Sequence, residues 1–112
     1  MHARPTNMPY LIAIALATAG AGIALSTHAQ TPPQRLGLCA ACHGERGIAT
    51  GKTIPNLAGQ NLDYLRNALA QYQSGARDVA AMRAAAGMLN AAELDRTLRW
   101  YADQQPAESR VP

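Results

Sequence analysis

Two cysteines and a histidine lie within five consecutive residues, as Cys39, Cys42 and His43. Two thiols three positions apart can each form a thioether bond with one vinyl group of the same porphyrin. A histidine that directly follows the second cysteine is then held against the iron as an axial ligand. This spacing is typical of covalent haem attachment. We therefore predict one haem c bound through Cys39 and Cys42, with His43 on the iron.

Other uses of these residues fit the sequence less well. A disulfide between Cys39 and Cys42 would close a very tight loop, which removes little chain entropy and stabilises weakly. A thioredoxin-like redox pair needs a βαβ pattern nearby, and the sequence shows none. A structural zinc site needs four ligands, whereas residues 30–112 contain two cysteines and one histidine. Haem attachment is the favoured interpretation.

The first 29 residues have the composition of an export signal. Arg4 and the amino terminus supply positive charge, residues 11–25 are apolar, and residues 27–29 offer a cleavage site with Gln30 as the new terminus. A retained transmembrane anchor is the alternative, but a span needs about 20 apolar residues and this run is shorter. We expect a cleaved signal peptide over 1–29, a periplasmic location and no membrane span after cleavage.

Cleavage would leave 83 residues as one domain, 30–112, with a lean core. The chain has no Phe, and the aromatic side chains of this domain are Tyr64, Tyr72, Trp100 and Tyr101. A domain of this size buries a thin core and often needs a cofactor or cross-link. Nine Arg or Lys and seven Asp or Glu residues give it a formal charge of +2. Since there is no basic run, a nucleic-acid partner is not expected.

The spacing of the apolar residues is helical throughout, and no alternating strand pattern appears. A short first helix is predicted to begin near Pro33 and to run into the haem motif. Glycines and a proline mark residues 44–59 as a loop. A second helix is predicted over residues 61–74, where apolar residues recur every three or four positions, and Gly75 follows as its C-terminal cap.

The last helix has the clearest boundaries. Asn90 is a good N-cap, Glu93 can complete a capping box, and Leu89 can pack on Leu94 across the first turn. Pro106 marks the stop. The sequence therefore predicts an all-α domain of three to four short helices wrapped around one haem.

The second iron ligand has few possible sources. His2 and His28 leave with the predicted signal peptide, so the soft ligands that remain are the thioethers of Met82 and Met88. Met88 directly precedes Leu89, which is followed by the Asn90 cap of the last helix, and it suits core packing. Met82 lies in residues 78–87, an Ala-rich stretch with poor capping signals that is expected to be irregular, with a helical turn as the alternative. Spacing alone favours Met82 and leaves Met88, or an open iron, as alternatives.

The loop at residues 54–57 returns towards the haem motif. One of its backbone carbonyls can accept a hydrogen bond from the second ring nitrogen of His43, which would orient the ring and raise its basicity. A plain turn is the alternative interpretation of the same residues.

Together these residues resemble the class I cytochromes c, in particular the small bacterial monohaem type that also forms the halves of periplasmic dihaem cytochromes. The matching segments, in the family's order, are residues 39–44, 55–60, 64–65, 74–77 and 100–102. The resemblance extends over residues 35–105 and implies that the first and last helices cross. Thr97-Leu98 departs from the Leu-Ala of many relatives, and the larger side chain at 98 can alter that crossing.

The resemblance also implies roles for individual residues. In this family the axial methionine stands seven residues before the leucine that leads into the last helix, which selects Met82 through Leu89. The carbonyl that accepts from the proximal histidine is assigned to Pro55. Three polar-tipped residues are offered as contacts of the haem carboxylates, with surface or core roles as alternatives: Tyr64, Arg77 and Trp100.

The expected function is a periplasmic one-electron carrier, not an enzyme, with redox proteins as transient donor and acceptor. An iron bound by both His43 and Met82 has no position for a substrate. An open-iron enzyme or gas sensor is one alternative, and the lack of a distal histidine argues against it. A haem subunit of a larger oxidoreductase is the other, since Leu36, Leu38 and Ile48 flank the motif, although ordinary packing explains these residues as well.

Overall fold

The computed structural model describes residues 20–23 and 30–108 of the chain. Its regular structure consists of four helices: α1 (Gly37–His43), α2 (Leu62–Ser74), α3 (Ala80–Gly87) and α4 (Ala91–Ala102). No strand occurs in these two segments, so the all-α prediction is confirmed. The predicted signal peptide lies outside the described residues apart from residues 20–23, which form neither helix nor strand.

Helix α1 is shorter than predicted. Residues 34–36 form a turn in which the Leu36 N–H donates to the Pro33 carbonyl at 3.0 Å, and the helix begins at Gly37 without a side-chain cap. Gly44 follows the helix with a backbone φ of 79°, a conformation that glycine adopts readily because it has no Cβ. The helix is therefore just long enough to carry both cysteines and His43.

Helix α2 occupies the region predicted for it. The Asn61 side chain accepts from the Tyr64 N–H at 3.0 Å, which satisfies one of the unpaired donors of the first turn. Gly75 ends the helix in the left-handed conformation, with φ 84°. Helix α2 packs against both α3 and α4. Within the described part of the chain, no helix is long and apolar enough to cross a membrane.

The prediction of an irregular stretch at residues 78–87 is wrong. Helix α3 has eight residues, and Met82 lies in its first turn. The Val79 side chain makes no capping hydrogen bond, so the boundary signal on which the prediction depended is indeed absent. Five of the eight residues are alanine, the strongest helix former. This propensity and the packing on α2 stabilise the helix in place of a cap.

Helix α4 begins with the predicted capping box. The Asn90 side chain accepts from the Glu93 N–H, and the Glu93 carboxylate accepts from the Asn90 N–H, both at 2.9 Å. The helix ends at Ala102, four residues before Pro106. Because two of the first-turn N–H groups are paired in this way, the start of the helix is fixed by its own sequence.

A charged network joins α2 to α4. The Asp95 carboxylate accepts from Arg66 Nε and Nη2 at 3.0 and 2.6 Å, and from Arg99 Nε at 2.7 Å. Arg66 also donates to Asp63 at 3.1 Å. The hydrogen bonds from Arg99 and Arg66 hold the pKa of Asp95 below its ordinary value. Since these side chains are more than a third exposed, solvent screens the attraction.

The core joins the turn before α1 to helices α2 and α4. Four residues form one buried cluster: Leu36, Leu65, Trp100 and Tyr101. Half-buried residues of α1 and α4 pack against it, among them Cys39, Ala40, Leu98 and Ala102. The larger residue at position 98 therefore packs on the shared core. Its neighbour Thr97 is 1% exposed, and its hydroxyl donates to the Glu93 carbonyl inside α4.

Candidate haem site

Helix α1 presents the two cysteines one turn apart. Cys39 is half-buried and Cys42 is exposed, and both thiols are free. Residues three positions apart lie on the same side of a helix, and both cysteines line one cavity. Burial raises the pKa of the Cys39 thiol, which favours its protonated form. The pair thus offers two thiols to a single group in that cavity.

His43 is the last residue of α1 and is 7% exposed. Its Nδ1 lies 2.8 Å from the Pro55 carbonyl oxygen. Since a carbonyl can only accept, Nδ1 carries the proton and the lone pair is on Nε2. This hydrogen bond orients the ring and raises the basicity of the other nitrogen. His43 also lines the cavity, so it has both the environment and the tautomer of a metal ligand.

Residues 44–59 fold back so that Pro55 reaches His43. The Gly47 carbonyl accepts from the N–H groups of Leu57 and Ala58 at 2.8 and 3.1 Å. Gly47 has a φ of 78°, and a Cβ there would collide with the Ala58 backbone. The two sides of the loop can approach this closely because residue 47 is glycine.

The cavity beside α1 has a volume of about 280 Å³ and mostly apolar walls. The loop and all four helices contribute to it, for example through Leu38, Ile54, Leu65, Leu69, Ala85 and Leu94. Two free thiols, one imidazole and one thioether share this space. Soft and imidazole ligands within apolar walls are the donor set that haem iron takes in electron-transfer proteins. The residues present therefore fit a haem joined to Cys39 and Cys42.

The two methionines differ in their surroundings. Met82 is half-buried and lines the same cavity as His43. Met88 is 58% exposed and is not part of that lining. The geometry thus brings Met82 together with the cysteines and His43 and leaves Met88 outside. Since Met88 is exposed, the core-packing interpretation of this residue is wrong.

An arginine and two tyrosines at one side of the chain's second helix also line the cavity, among other polar residues: Tyr64, Tyr72 and Arg77. The Arg77 guanidinium carbon lies 5.9 Å and 5.5 Å from the ring centres of Tyr64 and Tyr72, within the range of cation–π attraction. Its Nε donates to the Gln71 side-chain oxygen at 2.6 Å. A positive charge against mostly apolar walls favours an anionic group in the cavity. Tyr64 and Arg77 are therefore placed where they could contact the carboxylates of a haem, and Tyr72 is a third residue in a similar position.

Trp100 occupies a different place from the one that the resemblance offered. Its ring belongs to the buried core, and its Nε1 donates to the Glu45 carbonyl at 2.6 Å. The cavity lining does not include it. Because this N–H is already paired with the backbone, the structure agrees with the core alternative for Trp100.

Tyr101 makes a similar contact that the sequence analysis missed. Its hydroxyl donates to the Gly44 carbonyl at 3.0 Å, directly after His43. Burial raises the pKa of this phenol well above its ordinary value, so the hydroxyl stays protonated and remains a donor. A buried tyrosine needs a partner for its hydroxyl, and this need is the sequence signal from which the contact could have been suspected.

The three apolar residues around the motif lie in three environments. Leu36 is 4% exposed in the core, Leu38 is half-buried and lines the cavity, and Ile48 is 40% exposed. Packing therefore accounts for Leu36 and Leu38, while Ile48 adds apolar surface close to the motif in sequence.

The family of the chain follows from comparison with known sequences. A sequence model of the family described as Cytochrome c matches residues 21–107. The chain belongs to the cytochrome c family. The match starts inside the segment predicted as a signal peptide and ends beyond α4. This cytochrome c belongs to a family of electron carriers, whose members attach haem c covalently, and the resemblance described above is confirmed.

Two relatives support the assignment. The chain is 32% identical over 108 residues to the "Thiosulfate dehydrogenase electron acceptor" of Thiomonas intermedia. The aligned region covers 94% of this cytochrome c and 49% of the relative. It is 31% identical over 74 residues to "Cytochrome c-554(548)" of Halomonas halodenitrificans, covering 63% of this chain and 89% of the relative. The chain thus spans about half the length of the first relative and most of the second.

Proposed function

We propose that this cytochrome c is a periplasmic one-electron carrier whose single haem is attached through Cys39 and Cys42 and ligated by His43 and Met82. The observation that carries the proposal is that all four side chains line one cavity. The hydrogen bond from His43 Nδ1 to the Pro55 carbonyl supports the role of His43, because metal-ligating histidines usually donate their other ring N–H in this way.

The haem, when bound, supplies an iron that changes reversibly between the ferric and ferrous states. The residues of the chain set the conditions for that change. The Pro55 carbonyl makes His43 a stronger donor, which favours the ferric state, and the Met82 thioether favours the ferrous state. The apolar residues of the cavity would keep water away from a bound haem.

An iron held by both His43 and Met82 would have no position for a substrate, which is why we propose a carrier and not an enzyme. Electrons would leave at the exposed Cys42 side of the site through a small, transient docking surface. A dehydrogenase or quinol-oxidising complex is the proposed donor, and a terminal oxidase or reductase the acceptor. The relative named as an electron acceptor supports such an exchange between proteins. The periplasmic location rests on the composition of residues 1–29.

A permanent haem subunit of a larger oxidoreductase is the second candidate, favoured by the exposed Ile48. Size-exclusion chromatography of the native protein from its own cells separates the two. A carrier elutes at the mass of one chain, whereas a subunit elutes with its complex.

The weak long-wavelength charge-transfer band of ferric haem reports a thioether on the iron, and it tests the proposal directly. We expect the band in the native protein and its loss in Met82→Leu, together with a lower midpoint potential. Met88→Leu is the matched control, because that methionine is exposed and outside the cavity, and it should keep both properties. A native spectrum without the band would contradict His/Met ligation.

A further inference from the structure

Tyr101 holds the two ends of the loop that carries Pro55. Its hydroxyl donates to the carbonyl of Gly44, the first residue of the loop, at 3.0 Å. Its own backbone carbonyl accepts from the N–H of Gly59, the last residue of the loop, also at 3.0 Å. One residue of α4 thereby fixes the start and the end of residues 44–59.

The surroundings of Tyr101 leave these bonds little freedom. Its side chain is fully buried, and its ring lies so close to Gly47 that a Cβ on that glycine would come within 2.9 Å of it. Gly47 is also the residue whose carbonyl pairs the two sides of the loop. Tyr101 therefore contacts both ends of the loop and also Gly47, whose carbonyl accepts the hydrogen bonds that pair the two sides of the loop.

The hydroxyl of Tyr101 donates its hydrogen bond to the residue directly after the proposed iron ligand. Gly44 directly follows His43, and Pro55 lies within the loop that Tyr101 closes. The Pro55 carbonyl can stay 2.8 Å from His43 Nδ1 as long as the loop keeps its path. The neighbouring bond from Trp100 to the Glu45 carbonyl restrains the same end of the loop.

We infer that Tyr101 is a positioning residue for His43: by closing the loop it keeps the Pro55 carbonyl on the imidazole and so sets how strongly His43 donates to the iron. This inference rests on the proposed role of His43 as a ligand. When the loop opens, Nδ1 loses its acceptor, the imidazole becomes a weaker donor, and the ferric state is less stabilised.

Tyr101→Phe in the haem-loaded protein keeps the ring and removes the hydroxyl. We expect the Leu57 and Ala58 amide hydrogens to exchange about tenfold faster relative to amides in the middle of α2, since a buried carbonyl then lacks its donor. The midpoint potential should rise, because the ferric state is the one that His43 stabilises. The charge-transfer band of the thioether should remain.

Asp95→Asn is the control for general destabilisation. It removes charge from the network between α2 and α4 and contacts neither the loop nor the cavity. It should leave the relative loop exchange unchanged and raise the potential less than Tyr101→Phe does, because solvent screens the partly exposed Asp95 charge. If Tyr101→Phe behaves like Asp95→Asn, Tyr101 has a structural role only and the inference is overturned.

Trp100→Phe provides an independent test should Tyr101→Phe fail to fold. It removes the donor of the Glu45 carbonyl and is expected to shift loop exchange and potential in the same directions. No shift in that variant would count against the inference. A missing charge-transfer band in the native protein would instead contradict the proposed function, while the loop-exchange result would still decide whether Tyr101 closes the loop.

Discussion

Arg77 places a positive charge in a cavity with mostly apolar walls, 5.9 Å and 5.5 Å from the ring centres of Tyr64 and Tyr72. A positive charge close to the iron favours the ferrous state, because reduction lowers the total positive charge at the site. We therefore expect Arg77→Gln to lower the midpoint potential in a redox titration followed by absorbance.

Arg83→Gln is the matched control for this prediction. Arg83 is half-exposed, pairs with Asp78 at 3.0 Å and does not line the cavity. Its replacement should change the potential much less, because solvent screens the charge. Equal shifts in the two variants would show that Arg77 acts through overall charge and not through its position in the cavity.

At the same scale, the sequence predicted the residues whose chemistry depends on local spacing. Cys39, Cys42 and His43 share one short helix, so their relative positions follow from the sequence itself. The contacts of Trp100 and Tyr101 with residues 44 and 45 join positions more than fifty residues apart. Sequence indicates that a buried hydroxyl or indole N–H needs an acceptor, and folding decides which carbonyl it meets.

At the scale of elements, glycines at the ends of two helices differ in the backbone conformation that they adopt. Gly75 ends α2 with a φ of 84°, whereas Gly87, the last residue of α3, has ordinary helical backbone and open space around its Cα. We expect Gly75→Ala to lower the free energy of unfolding by about 1–2 kcal/mol, because left-handed backbone is costly for residues with a Cβ.

Gly87→Ala serves as the comparison and should raise the unfolding free energy by about 0.4–1 kcal/mol, since alanine restricts the unfolded chain. Urea unfolding of the haem-loaded protein measures both. A lower unfolding free energy in Gly87→Ala would contradict the helical backbone and the open space around Cα that the structure gives residue 87.

The boundaries of the helices were predictable to the extent that residues next to each other determine them. Asn61 and Asn90 cap their helices through their own neighbours, and Gly75 ends α2 in the same local way. Helix α3 has no such cap, and its stability depends on alanine content and on α2, which is distant in sequence. The sequence allowed no more than a helical turn there, because no local cap marks where α3 begins.

At the scale of the whole molecule, the network around Asp95 makes stability depend on acidity. Its pKa is lowered from 3.8 by hydrogen bonds from Arg99 and Arg66. A carboxyl of this kind stabilises the fold above its unfolded pKa, and the contribution disappears as the pH falls through the lower folded value. We expect wild type to be more stable than Asp95→Asn at neutral pH and the difference to vanish well below pH 3.8.

Urea unfolding of wild type and Asp95→Asn, at neutral pH and well below pH 3.8, measures this difference in unfolding free energy. A difference that persists in strong acid would assign the role of Asp95 to packing and not to charge. Added salt should reduce the difference at neutral pH as well, because the pairs are partly exposed.

The closure of residues 44–59 at both ends also makes this region suitable for engineering. With Gly44 and Gly59 held by Tyr101, the exposed tip at residues 50–53 can be lengthened without moving the ends. Doubling the length of a flexible loop costs only about 0.6 kcal/mol in closure entropy. A peptide that recognises an analyte could be inserted there, and its binding would then be read as a change in electrode current.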